Sequence, residues 1–487
     1  MNECSRPLRS RDLRKAPGIA AAVLAALAVL PAVAGEDERP ATAPPTEKNV
    51  YGAPAGSGIS MPPYYQPTPS VKNRNVYLPS TEPLGADEMR ITFMGSQPWP
   101  PRIAQACTCI MVELGNGQRL FFDFGPGCLR NIIANQVPVA EIDNIFLSHL
   151  HADHICDLPY LFSFGPFAGR FKPVHVIGPS GRTPELGTKA MWAGMKKFLA
   201  WSTQAFQGCG PMPACDSDDV TEFDFHDDGG VCYDKDGVKV IHWRRSHAMD
   251  GASAYRLDWN GLSFVYTGDG KPDWLTAKYA QGADVFVSEM AVDIINLWAM
   301  KQGLPPMFGA LTLDIHHTTH YGFGYLAHQV QPRLAMATHL SFDPELLNEM
   351  SAGLRLHYKG LFAYGIDNVV VNVTKDRVWI REAAVSDLAG VRSADPQWIF
   401  KNMFDGKMPT ELPKPKHTVA GNQEQSVRDL EIDPARFTPK DQMRPWVREF
   451  PPDAKPQDFI PQPAGGDRPL LRGLEMLKLE MLKEQQP

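Results

Sequence analysis

Ser148-His149-Leu150-His151-Ala152-Asp153-His154 places three imidazoles and a carboxylate within six consecutive positions, directly after the apolar run Ile145-Phe146-Leu147. Imidazole nitrogen suits Zn(II), and a carboxylate adds negative charge and can hold a metal-bound water. The chain has only 14 His among 487 residues, so a polar loop that is His-rich by chance accounts poorly for this grouping. Two metals need about six or seven ligands, and the loop supplies four. Later strands offer the rest. His247 follows Val238 to Trp243, Asp269 lies in Tyr266-Thr267-Gly268-Asp269-Gly270, and His339 ends Leu334-Ala335-Met336-Ala337-Thr338-His339. Each is a ligand type at the end of an apolar strand, where loops gather and side chains converge. Cys156, two residues past His154, reads as a buried thiol rather than a further ligand.

The elements that must carry these residues are alternating strands and helices. Arg90 to Met94 alternates like a strand, and Cys109 to Leu114 and Gln118 to Asp123 form a hairpin across Gly115-Asn116-Gly117. Helical spacing runs from Leu129 to Glu141, and Ile142 to Leu147 is the strand that delivers His149. Strands then recur at Val174 to Ile177, Val238 to Trp243, Ala254 to Leu257, Leu262 to Tyr266 and Val285 to Val287, with a helix over Ala190 to Phe198. Hairpins mixed with crossover helices predict an α/β fold of sheets covered by helices.

Flanking this core, the composition changes. Arg6, Arg9, Arg11, Arg14 and Lys15 lead into the small, apolar stretch Gly18 to Leu30, and Ala32-Val33-Ala34 offers a cleavage site, so residues 1–34 read as an export signal. The run is too short for a membrane anchor, and the protein is expected to be periplasmic or secreted. Residues 35–88 are a Pro-rich arm, 89–385 the hydrolase domain, and 386–487 a Pro-rich extension. In that extension Leu470, Leu474, Leu477 and Met481 recur at helical spacing, as a docking helix or, alternatively, a dimer contact. Seven cysteines follow the leader, and one disulfide is expected among Cys209, Cys215 and Cys232. The net charge of −7 leaves no global basic footprint for a polyanion. The run from Cys215 to Asp236 is acidic, a solvated loop or a calcium site without EF-hand spacing. Arg244-Arg245 is the most interesting local basic pair, as a solvated face or as a grip on an anionic substrate group.

In order along the chain, His149-x-His151-x-Asp153-His154, His247, Gly268-Asp269 and Thr338-His339, preceded by Asp123-Phe124-Gly125, resemble the metallo-β-lactamase superfamily. The likeness covers about residues 89 to 381. It implies an αββα sandwich and two Zn(II) ions, with His149, His151 and His247 on one, Asp153, His154 and His339 on the other, and Asp269 bridging. A narrower likeness, through Gly95-Ser96-x-Pro98 with Arg102, Ile177-Gly178-Pro179-x-Gly181 and His317-Thr318-Thr319, is to the ribonuclease Z and arylsulfatase branch. It implies His317 as a catalytic histidine oriented by Glu289. Thr318 stands where that branch usually has Ser, and His320 to Tyr325 lacks its small-residue helix pattern. The exported layout also resembles the guanitoxin-biosynthesis-type metallo-hydrolases.

The chemistry implied is metal-assisted hydrolysis of a phosphodiester, sulfate ester or lactone in a small molecule. Asp153 orients the attacking water and His317 protonates the leaving oxygen. His316 and His320 compete with His317 for that role. A ribonuclease Z-like nuclease is the alternative, opposed by the leader and the acidic run. A non-catalytic zinc scaffold is a third, and an iron-dependent flavoprotein relative is disfavoured by His151, where such proteins often carry an acidic residue. Trp99, Phe308, Tyr321 and Phe323 are aromatic candidates for lining the pocket or for core packing.

Overall fold

A computed structural model describes residues 75–170, 172–207, 219–291 and 316–392, a short stretch at 425–433 and a few single residues besides. Its strands are β1 (Val76–Tyr77), β2 (Met89–Gly95), β3 (Cys109–Leu114), β4 (Arg119–Phe122), β5 (Asn144–Phe146), β6 (His175–Pro179), β7 (Val220–Phe223) and β8 (Gly230–Lys235). They continue as β9 (Val238–Arg244), β10 (Ser253–Trp259), β11 (Leu262–Tyr266), β12 (Val285–Glu289), β13 (Leu334–Thr338), β14 (Phe362–Tyr364), β15 (Val369–Val373) and β16 (Val378–Ala383). The helices that matter for the site are α1 (Cys128–Ala134), α2 (Ala152–Ile155), α3 (Leu158–Phe164), α4 (Thr188–Phe198), α5 (Ala200–Gln207), α6 (Trp274–Tyr279), α7 (His320–Val330) and α8 (Pro344–Leu354).

Two sheets face one another. One runs β1-β16-β15-β2-β3-β4-β5-β6-β7, the other β14-β13-β12-β11-β10-β9-β8. The period-two rule explains how they meet. Met89, Ile91 and Phe93 of β2 point between the sheets, where they join Phe122, Phe146, Tyr255, Phe264 and Tyr266 in one core. Met94, Met111 and Phe121 point the other way and are covered by residues of α1, α3 and α4. On the second sheet Trp243, Val265, Phe286 and Ala335 are covered by α7 and α8. Helices thus flank both outer faces, which is the expected αββα sandwich. Strands β11 and β13 are buried at all five positions, as continuous apolar runs in a sheet covered on both faces should be.

The structure corrects several local expectations. The helix expected over Leu129 to Glu141 stops at Ala134, because Gln136 takes φ 57° and Pro138 cannot continue the turn; a short 3-10 turn at Val139–Glu141 replaces the rest. The segment after His317 is helical despite its two glycines. Thr319 caps α7 by accepting from the Gly322 amide, and Gly324 lets the helix close on α8, since a Cβ there would lie 2.3 Å from Leu354 O. The arm contributes a strand, with β1 parallel to β16. Cys232 is a free thiol, which removes it from the expected disulfide, while Cys209, Cys215, the export signal and the terminal helix lie outside the described residues. Among the described residues no helix is long and apolar enough to cross a membrane.

Candidate metal centre

The candidate residues collect at the C-terminal ends of strands from both sheets. The loop after β5 carries His149, His151, Asp153 and His154, the last two in α2. The ends of β9, β11 and β13 bring His247, Asp269 and His339. In one group, His149 Nε2 lies 2.9 Å and His247 Nε2 3.2 Å from His151 Nδ1, with Asp269 Oδ2 3.9 and 4.0 Å from the His149 and His247 nitrogens. In the other, His339 Nε2 lies 3.2 Å from Asp153 Oδ2, and His154 Nε2 lies 3.6 Å from it. Asp269 Oδ2 stands 3.3 Å from both His154 Nε2 and His339 Nε2. All seven sequence-derived candidates therefore converge, and Asp269 adjoins both groups. Cys156 is exposed and joins neither.

These residues fit metal ions for a physical reason. Burial pushes His149, His151 and His247 below the ordinary imidazole value, so they face one another as neutral rings with lone pairs. Nitrogen atoms converging at about 3 Å are spaced as ligands around a tetrahedral ion with Zn–N near 2.0 Å. His154 Nε2 and Asp269 Oδ1 are buried without a hydrogen-bond partner among the described residues, a costly state unless a cation takes them. Burial favours the neutral acid at Asp153, but His154 and His339 outweigh it and hold the carboxyl well below its usual range.

The ligands are fixed by residues behind them. Asp123, fully buried, accepts from the Ser148 amide and hydroxyl at 2.7 Å each, from His154 Nδ1 at 2.7 Å and from Tyr266 OH at 2.6 Å. Donation of Nδ1–H to this carboxylate leaves Nε2 of His154 for a metal. Sequence reasoning quoted Asp123 without giving it this task. Its signal was an acid at the end of an apolar strand before Gly125-Pro126-Gly127, which only Tyr266 and His154, 143 and 31 residues away, turn into a function. His247 is oriented likewise, its Nδ1 bonded to His316 O at 2.9 Å.

Of the three competing histidines, His317 faces the centre. Its Nδ1 contacts Glu289 Oε2 at 2.5 Å and lies 3.8 Å from Asp269 Oδ2. Burial opposes charging this ring, but the Glu289 carboxylate, its hydrogen bond and Asp269 together raise it to about 9. His316 offers its backbone to His247, and His320 is buried at the start of α7 against Gly353 of α8. The two arginines of the basic pair part company. Arg244 is half-exposed and pairs with Asp228 at 3.1 Å, and Arg245 is enclosed and ion-paired with Asp273. The acidic stretch holds no group of three ligand atoms among the described residues. Phe323 is core and Phe308 lies outside the described residues, whereas Trp99 is 71% exposed. It sits on a loop braced by Gln97 to Ser341 at 2.8 Å and Arg102 to Asp343 at 2.9 Å, next to His339.

Comparison with known proteins adds kinship. A family model described as "Anti-Pycsar protein Apyc1" matches residues 89–296. A Ribonuclease Z of Methanococcus maripaludis is 40% identical over 91 residues, which is 19% of this chain and 29% of that protein, less than a third of its length. The Ribonuclease Z of Picrophilus torridus is 26% identical over 246 residues, covering 43% of this chain and 75% of the relative. Among solved structures, the short form of human tRNase Z aligns at 16% identity and a TM-score of 0.43, over 58% of this chain and 98% of that one.

Proposed function

Because the chain is a metallo-β-lactamase-fold protein of the ribonuclease Z branch, we propose that it is a metal-dependent phosphodiesterase holding two zinc ions. His149, His151 and His247 would hold one, Asp153, His154 and His339 the other, with Asp269 shared. The observation that carries this reading is the convergence of the seven residues, with His154 Nε2 and Asp269 Oδ1 buried and without a hydrogen-bond partner among the described residues. When bound, such ions supply Lewis acidity toward the phosphoryl oxygens and make water nucleophilic near neutral pH.

The chain's own residues do the rest. Asp153 remains ionised and orients the attacking water through its free carboxylate oxygen. His317, held at Nδ1 by Glu289, presents Nε2 to the leaving oxygen and delivers the proton that lets it depart, a contribution typically of about 10²–10⁴ in rate. Glu289 fixes the ring's tautomer. The match to the anti-Pycsar model spans His149 to Glu289, and because the acidic run from Cys215 to Asp236 offers no basic surface to a polyanion, small diesters are the substrates to screen first. Export through the leader belongs to the same proposal and is read by cell fractionation.

The test is metal analysis of the purified chain together with turnover of bis(p-nitrophenyl) phosphate, an aryl sulfate, a lactone and a tRNA precursor. Two zinc ions per chain with diester hydrolysis is the expected result. Two bound zinc ions without turnover of any diester would sink the proposal, and cleavage of the tRNA precursor alone would move it to the nuclease reading.

A further inference from the structure

Three segments that face the metal cradle meet at one residue, Gly270, through the two peptide groups that flank its Cα. Its N–H donates to Glu289 Oε1 at 2.5 Å, and its carbonyl accepts from Arg245 Nη2 at 2.8 Å and from Thr318 Oγ1 at 2.5 Å. The other Glu289 oxygen is the one bonded to His317. Gly270 directly follows Asp269, Arg245 stands two residues before His247, and Thr318 follows His317. No side chain fits at Gly270: with φ 150°, a Cβ would lie 3.0 Å from both Arg245 Nε and Ser246 O.

The Arg245 side chain is fully enclosed, so it touches no substrate. Burying a guanidinium costs several kcal/mol unless its charge and its hydrogens are matched. Here Asp273 pairs with one nitrogen, Thr276 Oγ1 accepts from it at 2.8 Å, and the Gly270 carbonyl takes the other. The charge-assisted bond fixes the Gly270 carbonyl, which lies in the peptide to Lys271, and the N–H of that peptide is held by Ser246 O at 2.8 Å. The preceding peptide, Asp269–Gly270, shares the Gly270 Cα with it and carries the N–H that serves Glu289, so anchoring the carbonyl holds that donor in place.

We propose that Arg245 is a positioning residue for proton delivery: by anchoring the backbone of Gly270 it fixes Glu289, and through Glu289 the ring of His317. The role rests on the phosphodiesterase reading above. It requires arginine, because a lysine ammonium cannot span Asp273 and the Gly270 carbonyl as a planar fork does.

The experiment compares zinc-loaded wild type, Arg245→Gln and Arg245→Lys on two diesters that differ in leaving group, bis(p-nitrophenyl) phosphate and diphenyl phosphate. Both variants should keep the wild-type metal content and KM. Turnover of diphenyl phosphate, which needs a proton on its poorer leaving group, should fall roughly 100-fold, and that of the nitrophenyl ester less than about 5-fold. In a His317→Ala background Arg245→Gln should add less than about 2-fold, since the path it serves is already gone. Equal losses on both esters, rescue by lysine, or a full additional loss without His317 would each overturn the proposal. Thr318→Val removes the second bond to the same carbonyl and leaves the buried ion pair intact, so it serves if the arginine variants do not fold. It should show the same leaving-group selectivity at roughly 10-fold, and an unselective loss would count against the proposal. Wild-type turnover of neither ester would instead fail the phosphodiesterase reading itself.

Discussion

The two sheets furnish the cradle in opposite ways. The nine-stranded sheet supplies four candidate ligands from one loop after β5, whereas the seven-stranded sheet supplies one each from the ends of β9, β11 and β13. The loop is tied down by one acid at the end of the neighbouring strand, Asp123, which holds Ser148 and His154. The dispersed ligands are each tied to a different segment: His247 to His316, and the Asp269 turn through Gly270 to Glu289 and Arg245. A clustered donor set is thus cheap to encode in sequence, while a dispersed one depends on the sheet register that aligns its strands.

The residue where both halves meet should be the most sensitive. Asp269→Ala is expected to remove most of both metals and to lower turnover by about 10³ or more, because one carboxylate serves both groups. Metal content per chain with only one ion lost would show that the halves are independent. Asp123→Asn attacks the loop side alone. Loss of the buried acceptor behind His154 should weaken metal affinity about 10–100-fold while leaving the His149, His151 and His247 group able to bind. Metal titration by calorimetry reads this as one weakened step of two.

On the dispersed side, pH offers a probe that avoids the metal. His242 of β9 is buried against Phe223 at a ring distance of 3.7 Å, and burial lowers it from 6.5 to about 4. The unfolded chain therefore binds a proton between those values that the folded chain refuses. Stability is complete above 6.5 and falls as the pH drops toward 4, by up to about 3 kcal/mol. His242→Phe should flatten that limb in denaturant unfolding, and an unchanged acid limb would refute the assignment. The smallest effect belongs to Arg244→Ala. Its pair with Asp228 is half-exposed, and the loss should stay within about 0.5 kcal/mol with turnover unaltered. A loss of turnover would restore Arg244 as a substrate contact.

Legibility followed the same division. Apolar runs ending in a ligand type made β5, β11 and β13 readable, since a buried strand has little choice of composition, while β9 was readable by its alternation of buried and exposed positions. Boundaries were less so: α1 ended early at a left-handed Gln136, and α7 formed around glycines whose purpose is a close approach to α8. The basic pair read as one feature, yet successive residues on a strand point to opposite faces, which sends Arg244 to solvent and Arg245 inside.

The sequence by itself determined the donor types, their order and the strand ends they occupy, because metal chemistry restricts residue identity and burial restricts the runs before it. Only the tertiary structure decided which histidine of three faces the centre and which arginine is buried. The same holds for the task of Asp123. Each of those choices rests on a contact between strands or loops far apart in the chain, such as Glu289 with His317 or Tyr266 with Asp123, and spacing along a sequence carries no information about distance across a sandwich.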